Sequence, residues 1–509
     1  MGPRNREIMQ KKAAQRSRII ELLEEHGGMR PGVAKQVSEA TGVPEADVFA
    51  VASFYMLLAK PGARTRVCQG LSCMMAGAER RMQELRDSGV EVEPVSCLGQ
   101  CDRAPAALDD QLELVAGARG GVSPADPDRL AIDLGSPDDD RYAALALARA
   151  NGPEWVIAQL QAAGLQGRGG AGFPAHIKWA AVRGQAETTR YVVVNADEAE
   201  PATFKDREVM LRRPHRMLEG MAIAAEVVEA QVAYIYVRGE FQDCRRSLDA
   251  AIEAARPHLG SLEIRIVEGH GAYICGEETA LLEAIEGRRG MPRLKPPYPT
   301  EAGLFGKPTL MNNVETLACV PAILERGGEW FRGLGRTEAG SKLYCVSGHV
   351  GRPGVYELPL GVSLDEVVEA AGGYLGTPRA FSPGGASSGF LPMAQRGEAL
   401  DFGNLAKLGS MLGSAGVVVL DDTVDMAQAA RWQQVFFEDE SCGQCAPCRI
   451  GARVQRQAVD AWVTGKDRTR LALVDEVAWE MHEGSICGLG MVASLPLQSA
   501  MKYFPEDFT

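Results

Sequence analysis

The chain has 509 residues, 46% of them apolar, and a formal net charge of −13. That length predicts about three or four domains with cores of their own, and the acidic balance argues against a nucleic-acid partner, whose phosphates call for Lys/Arg patches. No apolar run approaches a membrane span, and the polar start Met1-Gly-Pro-Arg-Asn-Arg-Glu7 lacks a signal peptide's apolar core, so a cytoplasmic protein is expected.

Residues from about 10 to 60 read as helical, with an apolar stripe at Ile19-Ile20-Glu-Leu-Leu23 and a helix opened by Pro44 and acidic residues. Arg64–Val67 reads as a strand feeding Cys68 and Cys73, Ala78–Asp87 as a helix, and Val90–Val95 as a strand feeding Cys97 and Cys101. Cysteines on the loops of a strand–loop–helix–strand–loop layer fit a small thioredoxin-like domain. Two pairs on two loops suit a flat two-iron cluster, one pair per iron. Zinc or two disulfides would use the same four residues, although disulfides are disfavoured in the cytosol. From about Gly117 to Asp140 the composition shifts to Gly, Pro, Ser and Asp, which marks a linker.

Helix returns at Arg141–Ala150 and Glu154–Ala163. Gly167-Arg-Gly-Gly-Ala-Gly172 then satisfies G-x-G-x-x-G, but it follows a helix, whereas a dinucleotide fingerprint follows a strand. A stretch without side chains still lets backbone N–H groups approach a phosphate or flat ring. Tyr191–Val194 reads as a buried strand ending in Asn195, Asp197, Glu198 and Glu200, and Glu277 and Glu278 stand where an apolar run meets a helix. Arg293-Leu-Lys-Pro-Pro-Tyr298 and Asn312-Asn-Val-Glu-Thr316 complete a polar set suited to ribityl or ribose hydroxyls. Cys244, Cys275, Cys319 and Cys345 are scattered and read as small core residues.

Near the C-terminus, Ser441-Cys-Gly-Gln-Cys-Ala-Pro-Cys-Arg449 places Cys442, Cys445 and Cys448 at C-x2-C-x2-C spacing, which turns three thiolates toward one point, and Cys487 supplies a fourth. This is the grip used on a four-iron cube; a zinc knot is the alternative.

These stretches together resemble a known family. Residues from about 150 to 500 are similar to the NADH-binding flavoprotein subunit of respiratory complex I and to the diaphorase subunits of NAD-linked formate dehydrogenases and hydrogenases. Residues 10–110 resemble the thioredoxin-like two-iron ferredoxin subunit that accompanies it, through Ala52-Ser-Phe-Tyr55 and Cys97–Asp102. The chain looks like a fusion of two subunits usually separate.

The resemblance implies an α/β multidomain fold: a helical plus thioredoxin-like [2Fe–2S] domain (1–116), a linker (117–140), an FMN- and NAD-binding α/β domain (141–335), a β-grasp domain (336–425) and a helical bundle holding a [4Fe–4S] cluster (426–509). It implies that Gly167, Arg168, Gly169 and Gly170 face the FMN phosphate and ring, with Lys178, Asn195, Asp197, Glu198, Gly276, Glu277, Asn312 and Asn313 around the flavin. Phe173, Glu200, Glu278, Lys295 and Tyr298 match positions that hold NADH. Cys442, Cys445, Cys448 and Cys487 would ligate the four-iron cluster, and Cys68, Cys73, Cys97 and Cys101 the two-iron cluster.

A flavin bridges a hydride donor and one-electron acceptors, so positioning is the catalytic device expected and no residue is assigned an acid–base or nucleophilic role. Partners would be the substrate-oxidising molybdenum or nickel–iron subunit and further iron–sulfur subunits, since this chain contains neither metal site. Phe381–Gly389, Leu400–Gly403 and the fusion look most like the formate dehydrogenase beta subunit; a hydrogenase diaphorase or a complex I component is the alternative. Ala202 departs from the family, which usually has Gly there.

Overall fold

The computed structural model describes residues 15–60, 64–115 and 117–509. The polar start Met1–Glu7 and the beginning of the helix expected from about residue 10 lie outside the described residues. Helix runs through residues 15–25 and then Val33–Thr41 and Glu45–Phe54, the last with Pro44 at its N-cap and Glu45 and Asp47 in its first turn, where carboxylates complement the helix dipole.

The strands are β1 (Thr65–Cys68), β2 (Val92–Val95), β3 (Ala107–Leu108), β4 (Gly121–Val122), β5 (Tyr191–Ala196), β6 (Val232–Val237), β7 (Glu263–Glu268), β8 (Thr309–Asn313), β9 (Ser341–Gly348), β10 (Gly354–Pro359), β11 (Pro378–Ser382), β12 (Leu391–Pro392) and β13 (Gly416–Asp421). They form three sheets, ordered β2-β1-β3, β7-β6-β5-β8 and β12-β11-β13-β9-β10-β4. In the first, β1 pairs in parallel with β2 and antiparallel with β3, and the helix Ala78–Asp87 connects β1 to β2. The expected thioredoxin-like order is therefore present, with both cysteine pairs at strand ends.

The second sheet is wholly parallel. Parallel sheets need cover on both faces, and β5 and β6 are accordingly almost continuously buried. One face packs on the helices Lys205–Arg212, Pro214–Val228, Gln242–Leu259 and Val314–Arg326. The other face is covered by the N-terminal helices, whose Ile19, Leu23, Val48 and Tyr55 share a core with Val193, Tyr234 and Tyr236. Gly220 permits a close crossing of Pro214–Val228 and Val314–Arg326, because a Cβ there would lie 2.0 Å from the Leu317 carbonyl oxygen.

Residues 117–140, expected as a linker, do more than connect. β4 adds to the edge of the third sheet beside β10. Buried Glu357 accepts backbone N–H groups of Ala131, Ile132 and Asp133 at 2.6 to 3.2 Å. The segment is a strap fastened to the third sheet. Its Gly content serves close approach: a Cβ on Gly120 would lie 2.5 Å from the Pro353 carbonyl oxygen.

The C-terminal helices Met426–Glu440, Ala446–Gly465, Val474–Gly484 and Leu495–Tyr503 form the expected bundle. Cys244, Cys275, Cys319 and Cys345 are buried core residues. Among the described residues no helix is long and apolar enough to cross a membrane.

One core group makes stability depend on pH. Glu219, on Pro214–Val228, accepts the Leu145 N–H at 3.0 Å, and burial pushes its carboxyl up to about 7. A folded pKa above the unfolded one means the neutral form favours the native state, fully below about 4.5, and that this contribution is lost as pH rises through about 7. Glu219→Gln is expected to flatten the fall in Tm between pH 5 and pH 7.5 by the equivalent of ~2 kcal/mol, as thermal melts across pH would read.

Candidate functional site

Open parallel sheets bind ligands at the carboxyl ends of their strands. Here the ends of β5 and β8 present Asn195 and Asn313 to a cavity of about 340 Å³. A wider groove of about 870 Å³ at the β7 edge of the same sheet contains none of the expected residues. The smaller cavity holds the chemistry.

Its floor is the glycine loop. Gly167 N–H donates to the Phe173 carbonyl at 2.8 Å, closing the loop between the helices Pro153–Ala163 and Ala175–Arg183. Gly170 and Gly172 adopt φ of 131° and 64°, open to glycine and strained for other residues. A Cβ on Gly169 would lie 3.1 Å from the Asn313 side chain, a tight approach at this wall.

Of the expected flavin set, Gly169, Gly170, Asn195, Glu198, Gly276, Glu277 and Asn313 line the cavity, as does Glu200. Gly167, Arg168, Asp197 and Asn312 stand behind it. The Arg168 guanidinium turns inward, fully buried, and donates to the Ala339 carbonyl at 2.9 Å, while its N–H donates to Thr316 Oγ1. The interior carboxylate Glu315 draws that charge inward. Asn312 accepts the Trp179 indole N–H at 3.0 Å, and Asp197 faces a small void beside Arg238 and Glu240.

The electrostatics of the wall follow from burial. Desolvation pushes Glu198 up to about 8, helped by Asp206, while it accepts the N–H groups of Asp206 and Arg207 at 2.6 and 2.8 Å. Glu200 is pushed up to about 7 by burial and accepts from the Tyr273 hydroxyl and from Ser387 N–H and Oγ. Near them Glu277 caps Glu278–Ile285 by accepting from Thr279 and Ala280 N–H.

Lys295 reaches Glu277 at 3.0 Å and Glu278 at 3.1 Å, and Lys178 reaches Glu278 at 3.5 Å. Against the effect of burial, these two lysines hold the Glu278 carboxyl below its usual range. Phe173 and Tyr298 are 48% and 53% exposed, free to stack on a planar ring. Tyr273, Ser387, Lys205 and Asp206 also line the cavity and were missed. Ser387 lies in the Gly-Gly-Ala-Ser-Ser-Gly run, whose glycines were the available signal. Ala202 adopts φ of 73°, which explains a glycine preference there; alanine in that region costs about 1 kcal/mol.

The cavity shares a wall with the four-cysteine region, since Cys487, Gly488 and Leu489 line it too. Cys445 and Cys487 occupy the N-caps of Ala446–Gly465 and Gly488–Val492, and Ser441 Oγ lies 3.3 Å from Cys448 Sγ. The second set is buried: Cys68 Sγ is within hydrogen-bond reach of Cys73 and Cys97, and Cys97 of Cys101. Backbone N–H groups of Gly70, Gly99 and Ala106 donate to Cys68, Cys97 and Cys73 Sγ at 3.3 to 3.4 Å. Two all-sulfur sets, one of which shares a wall with the glycine-lined cavity, fit iron–sulfur clusters serving a flavin.

Two buried arginines tie the two-iron loop to this cavity. Arg238 donates to the Cys97 carbonyl and to the Glu198 carbonyl. Arg207 donates to the Gly99 carbonyl at 2.8 Å, Gln100 Oε1 at 2.6 Å and Asp102 at 2.8 Å.

Known families match in four places: the thioredoxin-like [2Fe-2S] ferredoxin over residues 5–114, the Nuo51 FMN-binding domain over 160–322, the SLBB domain over 343–391, and the NADH-ubiquinone oxidoreductase-F iron-sulfur binding region over 428–509. Fold and site thus define a flavin and iron–sulfur oxidoreductase component, with FMN, [2Fe–2S] and [4Fe–4S] as its cofactors.

The second of two NADH-quinone oxidoreductase F subunits of Rhizobium meliloti (strain 1021) is 45% identical over 371 residues, covering 70% of this chain and 88% of that one. The corresponding F subunit of Rhodobacter capsulatus is 41% identical over 376 residues, covering 70% and 87%. The chain belongs to the family of NADH-quinone oxidoreductase F subunits. Among solved structures, a chain of an NAD+-reducing [NiFe]-hydrogenase in the H2-reduced state superposes with a TM-score of 0.89 at 31% identity, covering 96% of this chain and 92% of that one.

Proposed function

We propose that the chain is the diaphorase subunit of an NAD-linked formate dehydrogenase, passing electrons between NAD(H), FMN and iron–sulfur clusters in the cytoplasm beside molybdenum and iron–sulfur subunits. The observation that carries the diaphorase reading is the wall shared between the glycine-lined cavity and the Cys487 loop. FMN held there would supply the step between one hydride, which carries two electrons, and single-electron acceptors. Gly169, Gly170, Asn195, Gly276 and Asn313 would hold it with backbone and amide groups, and Gly167 and Arg168 brace the loop from behind.

Lys178 and Lys295 offset the charge of Glu277 and Glu278 where a dinucleotide pyrophosphate passes. Phe173 and Tyr298 offer stacking faces, and Glu200 meets the ribose. Cys442, Cys445, Cys448 and Cys487 ligate one cluster, and Cys68, Cys73, Cys97 and Cys101 the other. Domain boundaries near 116, 140, 335 and 425 belong to the same proposal.

Formate dehydrogenase membership is supported by the fused N-terminal domain and by Phe381–Gly389 and Leu400–Gly403. A hydrogenase diaphorase is the second reading, favoured by the solved structure that matches along 96% of the chain.

Anaerobic addition of NADH, followed by visible and EPR spectra, tests the first part. Flavin bleaching with one reduced four-iron and one reduced two-iron signal is expected; cluster colour without response to NADH would leave only an electron conduit. The assembled complex purified with the chain is expected to reduce NAD with formate; reduction with hydrogen instead would select the second reading. Glu200→Gln is expected to raise kcat/KM for NADPH relative to NADH about tenfold, roughly 1.4 kcal/mol of relieved repulsion. An unchanged ratio removes Glu200 from the ribose.

A further inference from the structure

Ala52-Ser-Phe-Tyr55 carries part of the likeness to the two-iron subunit, yet none of these side chains has a part in the redox chemistry derived so far. Phe54 ends the helix Glu45–Phe54, and Tyr55 follows in extended backbone, fully buried. The two rings lie 5.0 Å apart, edge to face. The next two residues are fastened to the flavin domain: Met56 and Leu57 N–H donate to the Gly271 and His270 carbonyls at 3.4 and 3.0 Å. His270 meets Glu24 at 2.7 Å and packs edge to face on Tyr55. Phe54 and Tyr55 are thus fixed against the start of the loop that runs to Glu277 and Glu278.

Their remaining contacts join two loops. Tyr55 Oη donates to the Arg288 carbonyl at 2.7 Å, and Cys275 Sγ lies within hydrogen-bond reach of the same hydroxyl. Cys275 stands two residues before Glu277, and Arg288 begins the stretch that leads to Lys295 and Tyr298. Residues 286–298 form neither helix nor strand, so contacts with neighbours have to place them. Gly290 leaves no slack, because a Cβ there would lie 2.4 Å from Cys275 Sγ and 3.4 Å from the Phe54 ring. The Arg289 guanidinium covers that ring from 5.2 Å. Tyr55 does not itself line the cavity. It is wedged behind it, between the two loops.

We propose that Tyr55, braced by Phe54, is a positioning residue for the dinucleotide: from the two-iron module it sets the spacing between the loop bearing Glu277 and Glu278 and the loop bearing Lys295 and Tyr298. The inference rests on the NADH-holding role proposed for Glu278, Lys295 and Tyr298, and adds a residue that acts through them. Lys295 spans the two loops, meeting Glu277 at 3.0 Å and Glu278 at 3.1 Å. A displacement of about 1 Å between the loops separates groups that have to meet one ligand together. Removing the Tyr55 hydroxyl takes away the hydrogen bond that holds Arg288, and the irregular stretch after it is then free to shift. The two-iron module therefore shapes the nucleotide site of its neighbour without entering it.

The test uses the full chain with its flavin and clusters, and two readouts: NADH kinetics with ferricyanide, and calorimetric binding of ADP-ribose, which carries the adenine and pyrophosphate but no hydride. Tyr55→Phe is expected to weaken ADP-ribose binding about fivefold, the worth of one hydrogen bond. KM for NADH should rise by a similar factor with kcat within about twofold, because groups remote from the reacting ring bind ground and transition states alike. Gly290→Ala pushes on Cys275 from the flavin-domain side and should weaken binding about tenfold. Phe49→Ala, exposed on the same helix as Phe54, is the control and should change nothing. Lys295→Ala separates the two levels of the argument. If it weakens ADP-ribose binding while Tyr55→Phe and Gly290→Ala bind as the wild type does, whatever their melting temperatures, the proposal is overturned and Tyr55 is core packing only. If Lys295→Ala binds ADP-ribose as the wild type does, the dinucleotide lies elsewhere and the reading beneath the proposal fails.

Discussion

Cys448→Ala is expected to remove the four-iron signal and to cut NADH-driven reduction of downstream one-electron acceptors by two or more orders of magnitude. Cys448 sits on the first turn of Ala446–Gly465, buried, with Ser441 on one side and Gly490 on the other. A Cβ on Gly490 would approach Cys448 Cβ to 2.8 Å, so the two cysteine-bearing segments meet here without slack. Metal ligation and folding are coupled in such sites, and loss of one thiolate should also loosen Gly488–Val492. The two-iron signal and flavin bleaching by NADH should survive, because the other cysteines and the glycine loop lie on different elements. Spectra, iron content and EPR of the variant would read all three. Full iron content with an intact four-iron signal would remove Cys448 from the ligand set.

Arg207→Ala is expected to release the two-iron domain from the flavin domain. The guanidinium is fully buried and links Gly99, Gln100 and Asp102 of the second cysteine loop to Glu208 of its own helix. Removing one partner of a buried ion pair costs about 3–5 kcal/mol, because the remaining charge is left without compensation. Arg207→Lys keeps the charge but loses the planar fork, so it should recover only part of the loss. Hydrogen exchange should show protection falling in residues 97–102 while β5 and β6 stay protected. Equal protection in wild type and variant would show that the loop is held by its cysteines alone.

Features that depend on local spacing were readable in the sequence. C-x2-C-x2-C puts three cysteines on one loop and the first turn of the helix after it, Pro44 and its acidic followers open a helix, and Tyr191–Val194 is too apolar for anything but a covered strand. The glycine run was readable as bare backbone, and its place after a helix excluded the usual dinucleotide fingerprint. What escaped depends on contacts far along the chain. Residues 117–140 have a linker's composition, and only the carboxylate of Glu357, more than 200 residues away, makes them a strap. Arg168 sits among glycines that face the cavity, yet Ala339 and the field of Glu315 turn it inward. Tyr273 and Ser387 gain their place from Glu200, which each binds from a different domain.

The N-terminal helices that cover the second face of the parallel sheet are on the same chain as the sheet, with Ile19, Leu23 and Tyr55 packed on Tyr234 and Tyr236. Where such a cover is a separate polypeptide, its occupancy follows concentration and falls on dilution. Tethered, it sees an effective concentration in about the millimolar range or above, so the two redox modules keep a one-to-one stoichiometry however little protein is made. The Arg207 and Arg238 contacts then have only to set the orientation of a neighbour that is always present.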